Sequence, residues 1–260
     1  MSKKIVFFDI DGTIYCHQTG KISNRVRDAI TKTREKGVLC FIASGRPQGF
    51  IAENVKKIGF DGYVLANGAN IKYQGKDLAM RYLHYQDMKE LCVNLQKRQI
   101  EYVLQTPTLC YLRKTCENLL AFYKLCNIDF ENFDFDYNED EIIRQTVKLE
   151  ILANNGKDFE YAKECCHAFT YEEHKDMLML EVYAKDVSKA TGILDVLKLL
   201  DISLDHSYCF GDGANDIEMF ETVGHPIAMG NAIKDIKELA EDICLSVEDD
   251  GVAYKLEELF

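Results

Sequence analysis

The stretch Lys4-Ile5-Val6-Phe7-Phe8-Asp9-Ile10-Asp11-Gly12-Thr13-Ile14-Tyr15 decides the fold. It opens on an apolar run, residues 5–8, rich in β-branched and aromatic side chains. That composition belongs to a strand buried on both faces of a parallel sheet. The run stops at two aspartates separated by one residue, followed by Gly-Thr. Asp9 and Asp11 therefore fall at or just past the carboxyl end of a strand, where open α/β sheets gather their ligands. Residues i and i+2 of an extended backbone point the same way, so the two carboxylates repel each other and resist desolvation. A cation between them removes that penalty, and hard oxygen donors suit Mg²⁺. Gly12 allows a sharp turn and a close approach by another group.

Outward from this stretch, residues 24–36 carry helical spacing, with Val26 and Ile30 on one face and Gly37 as the stop. Residues 38–43 form a second buried strand, ending at Ser44-Gly45-Arg46-Pro47, with a helix expected from there to about Ile58. Residues 63–66 are a third strand, ending at Asn67-Gly68. Strand and helix alternate, which predicts right-handed crossovers and a parallel sheet. Residues 71–82 read as a hairpin around Gln74-Gly75-Lys76.

From His84 the rhythm changes. Helices are expected at 86–98, 115–125 and 158–168, and strands at 100–105, 109–113, 147–153 and 177–183, with 129–141 an acidic, aromatic loop. This order predicts an inserted α+β domain at 84–184, between core segments 1–83 and 185–260. The core rhythm then resumes. A helix at 188–200 has Lys189 in its first turn, and a strand at 206–210 ends at Gly211-Asp212-Gly213-Ala214-Asn215-Asp216. A strand at 226–229, a helix at 232–240, a last strand at 243–245 and a helix at 252–260 complete the chain. No internal repeat or low-complexity tract interrupts it.

The 260 residues are 47% hydrophobic and 28% charged, which supports a packed core and argues against disorder. A net charge of −12 without a basic run argues against nucleic-acid and anionic-membrane partners. It leaves room for a small phosphorylated ligand, which one metal ion and a few Lys, Arg and amide donors can hold. No apolar stretch is long enough to span a bilayer, and no signal-peptide core precedes the first strand. The 10 cysteines include no Cys-x-x-Cys pair and read as reduced, mostly buried thiols of a cytoplasmic protein.

Asp-Ile-Asp-Gly-Thr-Ile at 9–14, Ser-Gly-Arg-Pro at 44–47, the lysine at 189 and Gly-Asp-Gly-Ala-Asn-Asp at 211–216 occur in an order that resembles the haloacid dehalogenase superfamily. The match extends over the whole chain. It is nearest the Cof-like sugar-phosphatase branch, whose cap is inserted between the second and third motifs. The resemblance implies a Rossmann-like α/β core with an α+β cap, and a Mg²⁺-dependent phosphoric monoester hydrolase. Asp9 is then the nucleophile, forming an aspartyl-phosphate. Asp11 is general acid and then base, with its backbone carbonyl on the metal. Asp212 is the third metal ligand alongside Asp9 and Asp11. Asp216 supports the metal site from outside the ligand set or through a water, with direct ligation left open, and Thr13 steadies the nucleophile loop. Ser44 and the Gly45 amide bind phosphate oxygens, helped by the following helix start. Lys189 adds charge to the phosphoryl group and holds Asp9, while Asn215 and Arg46 contact substrate.

Each feature also has a plainer reading. Asp-x-Asp-Gly-Thr alone is a turn and cap sequence, Ser44 alone a helix cap, and Arg46 alone a surface ion-pair partner. The six histidines show no metal-ligand spacing. In the related enzymes the cap touches the leaving group, and Gln105, Thr106, Tyr111, Arg113, Glu181 and Tyr183 are the candidates here. Sugar phosphates, erythritol-type phosphates, pyridoxal phosphate and flavin mononucleotide all fit this expectation. A phosphomutase using the same intermediate is the enzymatic alternative. A metal-dependent phosphate-ligand binder without catalysis is the alternative from another class. A monomer or weak homodimer is expected.

Overall fold

The computed structural model describes residues 3–125, 128 and 130–260. The chain divides into two compact units. One comprises Met1–Arg46, Ile51–Met80 and Ser188–Phe260; the other comprises Pro47–Phe50 and Arg81–Val187.

In the first unit, strand Ile5–Phe8 lies in the middle of an eight-stranded sheet. On one side it pairs in parallel with Leu39–Ala43, which pairs in parallel with Gly62–Leu65. On the other side it pairs in parallel with Ser207–Gly211, followed by His225–Ala228 and Asp242–Ile243. Antiparallel strands Asn70–Tyr73 and Lys76–Met80 finish one edge. The central strand is buried throughout, as its unbroken apolar run requires, and Phe8 stacks on Phe210 with centroids 5.4 Å apart. Phe8 is in register with both Ile42 and Phe210. Three adjacent strands therefore end within one residue of the same level, and the residues that follow them are Asp9, Ser44 and Asp212. Strand order reverses direction at this point, which creates a crevice outside the carboxyl ends.

The helices are built for their positions. Asn24–Glu35 is capped by Ser23, whose Oγ accepts the Val26 N–H at 3.1 Å. It packs on Gly251–Leu259. Helix Lys189–Leu200 starts with a capping box. Ser188 Oγ accepts the Thr191 N–H at 3.2 Å, and Thr191 Oγ1 accepts the Ser188 N–H at 2.9 Å. This fixes Lys189 as the first helical residue.

The second unit has a six-stranded sheet in the order Thr170–His174, Met179–Tyr183, Lys148–Leu152, Glu101–Gln105, Cys110–Leu112, Phe133–Asp134. All pairs but the last are antiparallel. One apolar face packs Leu104, Leu149 and Ile151 under helices Tyr85–Lys97 and Gly156–Cys165. The other packs Val103, Leu112 and Met179 with Leu119 and Tyr123 of helix Glu117–Leu125. That second face also buries charge. Lys148 Nζ lies 2.5 Å from Glu181 Oε2 and 3.4 Å from Glu150 Oε1, and Glu150 accepts the Tyr123 hydroxyl.

Several expectations need correction. No continuous helix follows Pro47; a 3-10 turn at Gln48–Phe50 and a short helix at Glu53–Lys56 replace it. The acidic segment is not all loop, since it holds a turn at Phe130–Asn132, strand Phe133–Asp134 and helix Glu139–Ile143. Its first residue, Asp129, lies outside the described residues, as does Cys126. Strand Thr170–His174 has no apolar alternation to betray it, because every side chain is half-buried. No helix among the described residues is long and apolar enough to cross a membrane.

Candidate active site

Asp9 continues from the central strand, its N–H donating to the Phe210 carbonyl at 3.0 Å. Its side chain is buried, and Lys189 Nζ donates to Asp9 Oδ1 at 2.6 Å. The same ammonium donates to Asp216 Oδ1, also at 2.6 Å. A lysine at a helix start opposes the helix dipole, so its charge is held there by these two carboxylates. Asp216 Oδ2 accepts the Asp212 and Gly213 N–H groups at 3.0 and 3.2 Å, which folds the 211–216 turn back on itself. Asp212 in turn accepts the Thr13 hydroxyl on Oδ1 at 3.1 Å.

Oxygens of Asp9, Asp212 and Asp216 lie within 4.8 Å of one another. With all three ionised and Lys189 the one ammonium among them, two negative charges remain in excess. Burial pushes the Asp9 carboxyl up to about 7 against the pull of Lys189, and Asp216 adds to the rise. Burial and then Asp216 push Asp212 up to about 6. Burial works against the Lys189 ammonium, yet Asp216 and Asp9 hold its pKa above the ordinary lysine value. Hard oxygen donors with that excess charge fit a divalent cation that prefers oxygen.

The Asp11 carboxylate points elsewhere. Arg46 forks onto it, Nε to Oδ2 at 2.9 Å and Nη2 to Oδ1 at 2.7 Å. His17 Nε2 lies 3.3 Å from the same Oδ1. Ser44 is buried; its Oγ accepts the Arg46 N–H at 3.2 Å and its carbonyl accepts the Asn67 N–H at 3.2 Å. A Cβ on Gly45 would sit 2.9 Å from Asn67 Oδ1, so this turn has no room for a side chain. The helix start expected to aid Ser44 and Gly45 is missing, because the first α-helical residue after them is Glu53. Asn215 is exposed within the 211–216 turn.

The sequence reading missed two residues here. Asn231 Nδ2 donates to the Gly12 carbonyl at 2.8 Å and to Asp212 Oδ2 at 3.3 Å, while its Oδ1 accepts the Val247 N–H at 2.9 Å. His17 was passed over because an exposed histidine without partners in sequence carries no signal. Asn231 had one faint cue, a Gly230-Asn231 pair shortly after strand His225–Ala228, which reads first as a turn.

Residues 6–256 match the family of haloacid dehalogenase-like hydrolases. The chain belongs to that family. Among its relatives is the 5-amino-6-(5-phospho-D-ribitylamino)uracil phosphatase YcsE of Bacillus subtilis (strain 168). It is 27% identical over 252 residues, which cover 96% of this chain and 93% of YcsE. A solved structure from Geobacillus kaustophilus HTA426 superposes with a TM-score of 0.91 at 26% identity, covering 99% of each chain. The HAD subclass IIB sugar phosphatase BT4131 shares the fold, with a TM-score of 0.82 at 22% identity and 98% of each chain covered. The phosphatase activity in the names of YcsE and BT4131 belongs to those proteins; the family that this chain shares with them is that of the haloacid dehalogenase-like hydrolases.

Proposed function

We propose that the chain hydrolyses small phosphate monoesters, of the sugar-phosphate or related metabolite kind, through an aspartyl-phosphate on Asp9. The observation that carries this reading is the contact of Asp9 with Lys189 at 2.6 Å, at the mouth of the central strand, in a cluster with excess negative charge. Asp9 Oδ attacks phosphorus and displaces the leaving oxygen, which departs with a proton from Asp11. Asp11, now a carboxylate, takes a proton from the water that attacks the aspartyl-phosphate, and phosphate leaves with Asp9 restored. The Ser44 hydroxyl, the Gly45 amide and the Lys189 ammonium bind the phosphoryl oxygens, with Asn215 and Arg46 as further contacts. Thr13 and Asp216 keep Asp212 and Lys189 in place. Mg²⁺, held by Asp9, Asp212 and the Asp11 carbonyl, would supply the positive charge that keeps Asp9 ionised and offsets its repulsion from phosphate.

Residues 84–184 are read as the cap and 1–83 with 185–260 as the core, a division supported by the two separate sheets. The described cysteines are free thiols, which supports a reducing, cytoplasmic setting. The test is phosphate release from a panel of phosphorylated metabolites with Mg²⁺. Asp9→Asn is expected to abolish release with the circular-dichroism spectrum unchanged, and undiminished turnover would refute Asp9 as nucleophile. Chelation is expected to stop release and added Mg²⁺ to restore it; a rate indifferent to chelator removes the metal from the reading.

A further inference from the structure

We propose that Arg46 is a positioning residue shared between Asp11 and the substrate's phosphoryl group. It holds the Asp11 carboxylate until a phosphoryl group takes the guanidinium, and only then is the Asp11 side chain free to turn toward the leaving oxygen. The proposal rests on the phosphatase reading above and adds an order of events to it.

The two cations of the site are held differently. Lys189 is fixed, with its side chain 1% exposed and two carboxylates at 2.6 Å. The Arg46 and Asp11 side chains are 39% and 33% exposed. An ion pair that meets water on this scale is exchanged at small cost. The geometry of the pair matters as much. Both Asp11 oxygens are engaged by the fork, through Nε and Nη2. With both oxygens committed to the fork, the Asp11 side chain is held on Arg46 and cannot turn to a leaving oxygen. A phosphoryl group offers the same planar pair of oxygens with more charge, so it competes directly for the guanidinium. The Arg46 backbone stays anchored meanwhile, its N–H on Ser44 Oγ and its carbonyl accepting the Ala66 N–H at 3.0 Å. Only the side chain has to move.

Calorimetric titration of the full chain with inorganic phosphate, in Mg²⁺, tests this without turnover. If binding must break the fork, Asp11→Asn tightens phosphate binding by about fivefold. Removing a nearby negative charge also aids an anion, but that gain survives in an Arg46→Met background. The shared-arginine gain does not, so the effect of Asp11→Asn shrinks markedly there. Arg46→Lys keeps the charge without the fork, and it is expected to retain part of the phosphate affinity while losing most of the coupling. Equal gains from Asp11→Asn in both backgrounds, or full coupling in Arg46→Lys, would overturn the shared arginine and leave the phosphatase reading standing. Failure of the unaltered, folded chain to bind phosphate would overturn both.

Discussion

Gly12 and Asp212 approach so closely that a Cβ on Gly12 would fall 2.2 Å from Asp212 Oδ2. Gly12 also has a φ of +78°, a conformation that disfavours other residues. The loop after the central strand and the 211–216 turn are thereby locked together, with Thr13 as a second tie to Asp212. Gly12→Ala is expected to destabilise the protein by about 1–3 kcal/mol and to push Asp212 off its position. Urea unfolding and Mg²⁺ titration measure the two effects. A variant with intact Mg²⁺ affinity would show that Asp212 is not a ligand.

Lys189 links Asp9 to Asp216 in a largely buried setting. Removing it leaves two buried carboxylates without their cation. Lys189→Met is expected to cost about 3–5 kcal/mol in stability, read from the urea midpoint at fixed pH. Adding Asp216→Asn removes one of the stranded charges and is expected to recover part of that loss. The two changes are therefore non-additive, and strict additivity would mean that the three groups act independently.

The three strand ends that build the site were legible for one physical reason. A strand buried on both faces has to be an apolar run, and the polar residue that ends it marks the sheet's edge. Ile5–Phe8, Leu39–Ala43 and Ser207–Gly211 all announce themselves this way. The sequence around 47–58 misled because Pro47 favours a helix start, whereas Gln48–Phe50 makes one 3-10 turn, and the Gly49 N–H donates to the Pro107 carbonyl at 3.3 Å. Thr170–His174 was hidden because its partner in pairing, Met179–Tyr183, carries the apolar signal for both. Glu172, His174 and Glu181 come within 4.8 Å across that same pairing, a proximity that spacing along the chain does not reveal. Asn231 was illegible for a different reason: its contact with Gly12 spans 219 positions.

Asn231 ties the Gly12 carbonyl, Asp212 and the Val247 amide together, yet it is exposed and lies outside any apolar packing. Its loss should therefore spare the fold and loosen the cluster. Asn231→Ala is expected to weaken Mg²⁺ binding by about 10–100-fold, as for partners that orient metal ligands, with stability changed by less than about 1 kcal/mol. Metal titration beside a thermal melt in chelator separates the two. A large drop in chelator-state stability with unaltered Mg²⁺ affinity would make Asn231 a structural residue only.

The raised carboxyls set a pH dependence that a divalent cation should reverse. Asp9 and Asp212 titrate at about 7 and about 6 in the folded chain, against 3.8 ordinarily, burial being the chief cause in both. A carboxyl with a higher pKa folded than unfolded binds more protons in the folded state. Its effect is to make stability fall as pH rises from about 4 to about 7. Glu181 acts in the opposite sense but lower on the scale. Against burial, Lys148 holds it down to about 2, so its contribution is present above 4.5 and is lost only as pH falls toward 2. Without divalent cations, the melting temperature is therefore expected to drop by roughly 5 °C between pH 5 and pH 8. Mg²⁺ replaces the missing protons, so its stabilising effect should be larger at pH 8 than at pH 5. Asp9→Asn removes the higher of the two titrations and should flatten the metal-free profile. A wild-type melting temperature that climbs steadily over this range in chelator would mean that the Asp9 carboxyl is already ionised, held so by Lys189 alone.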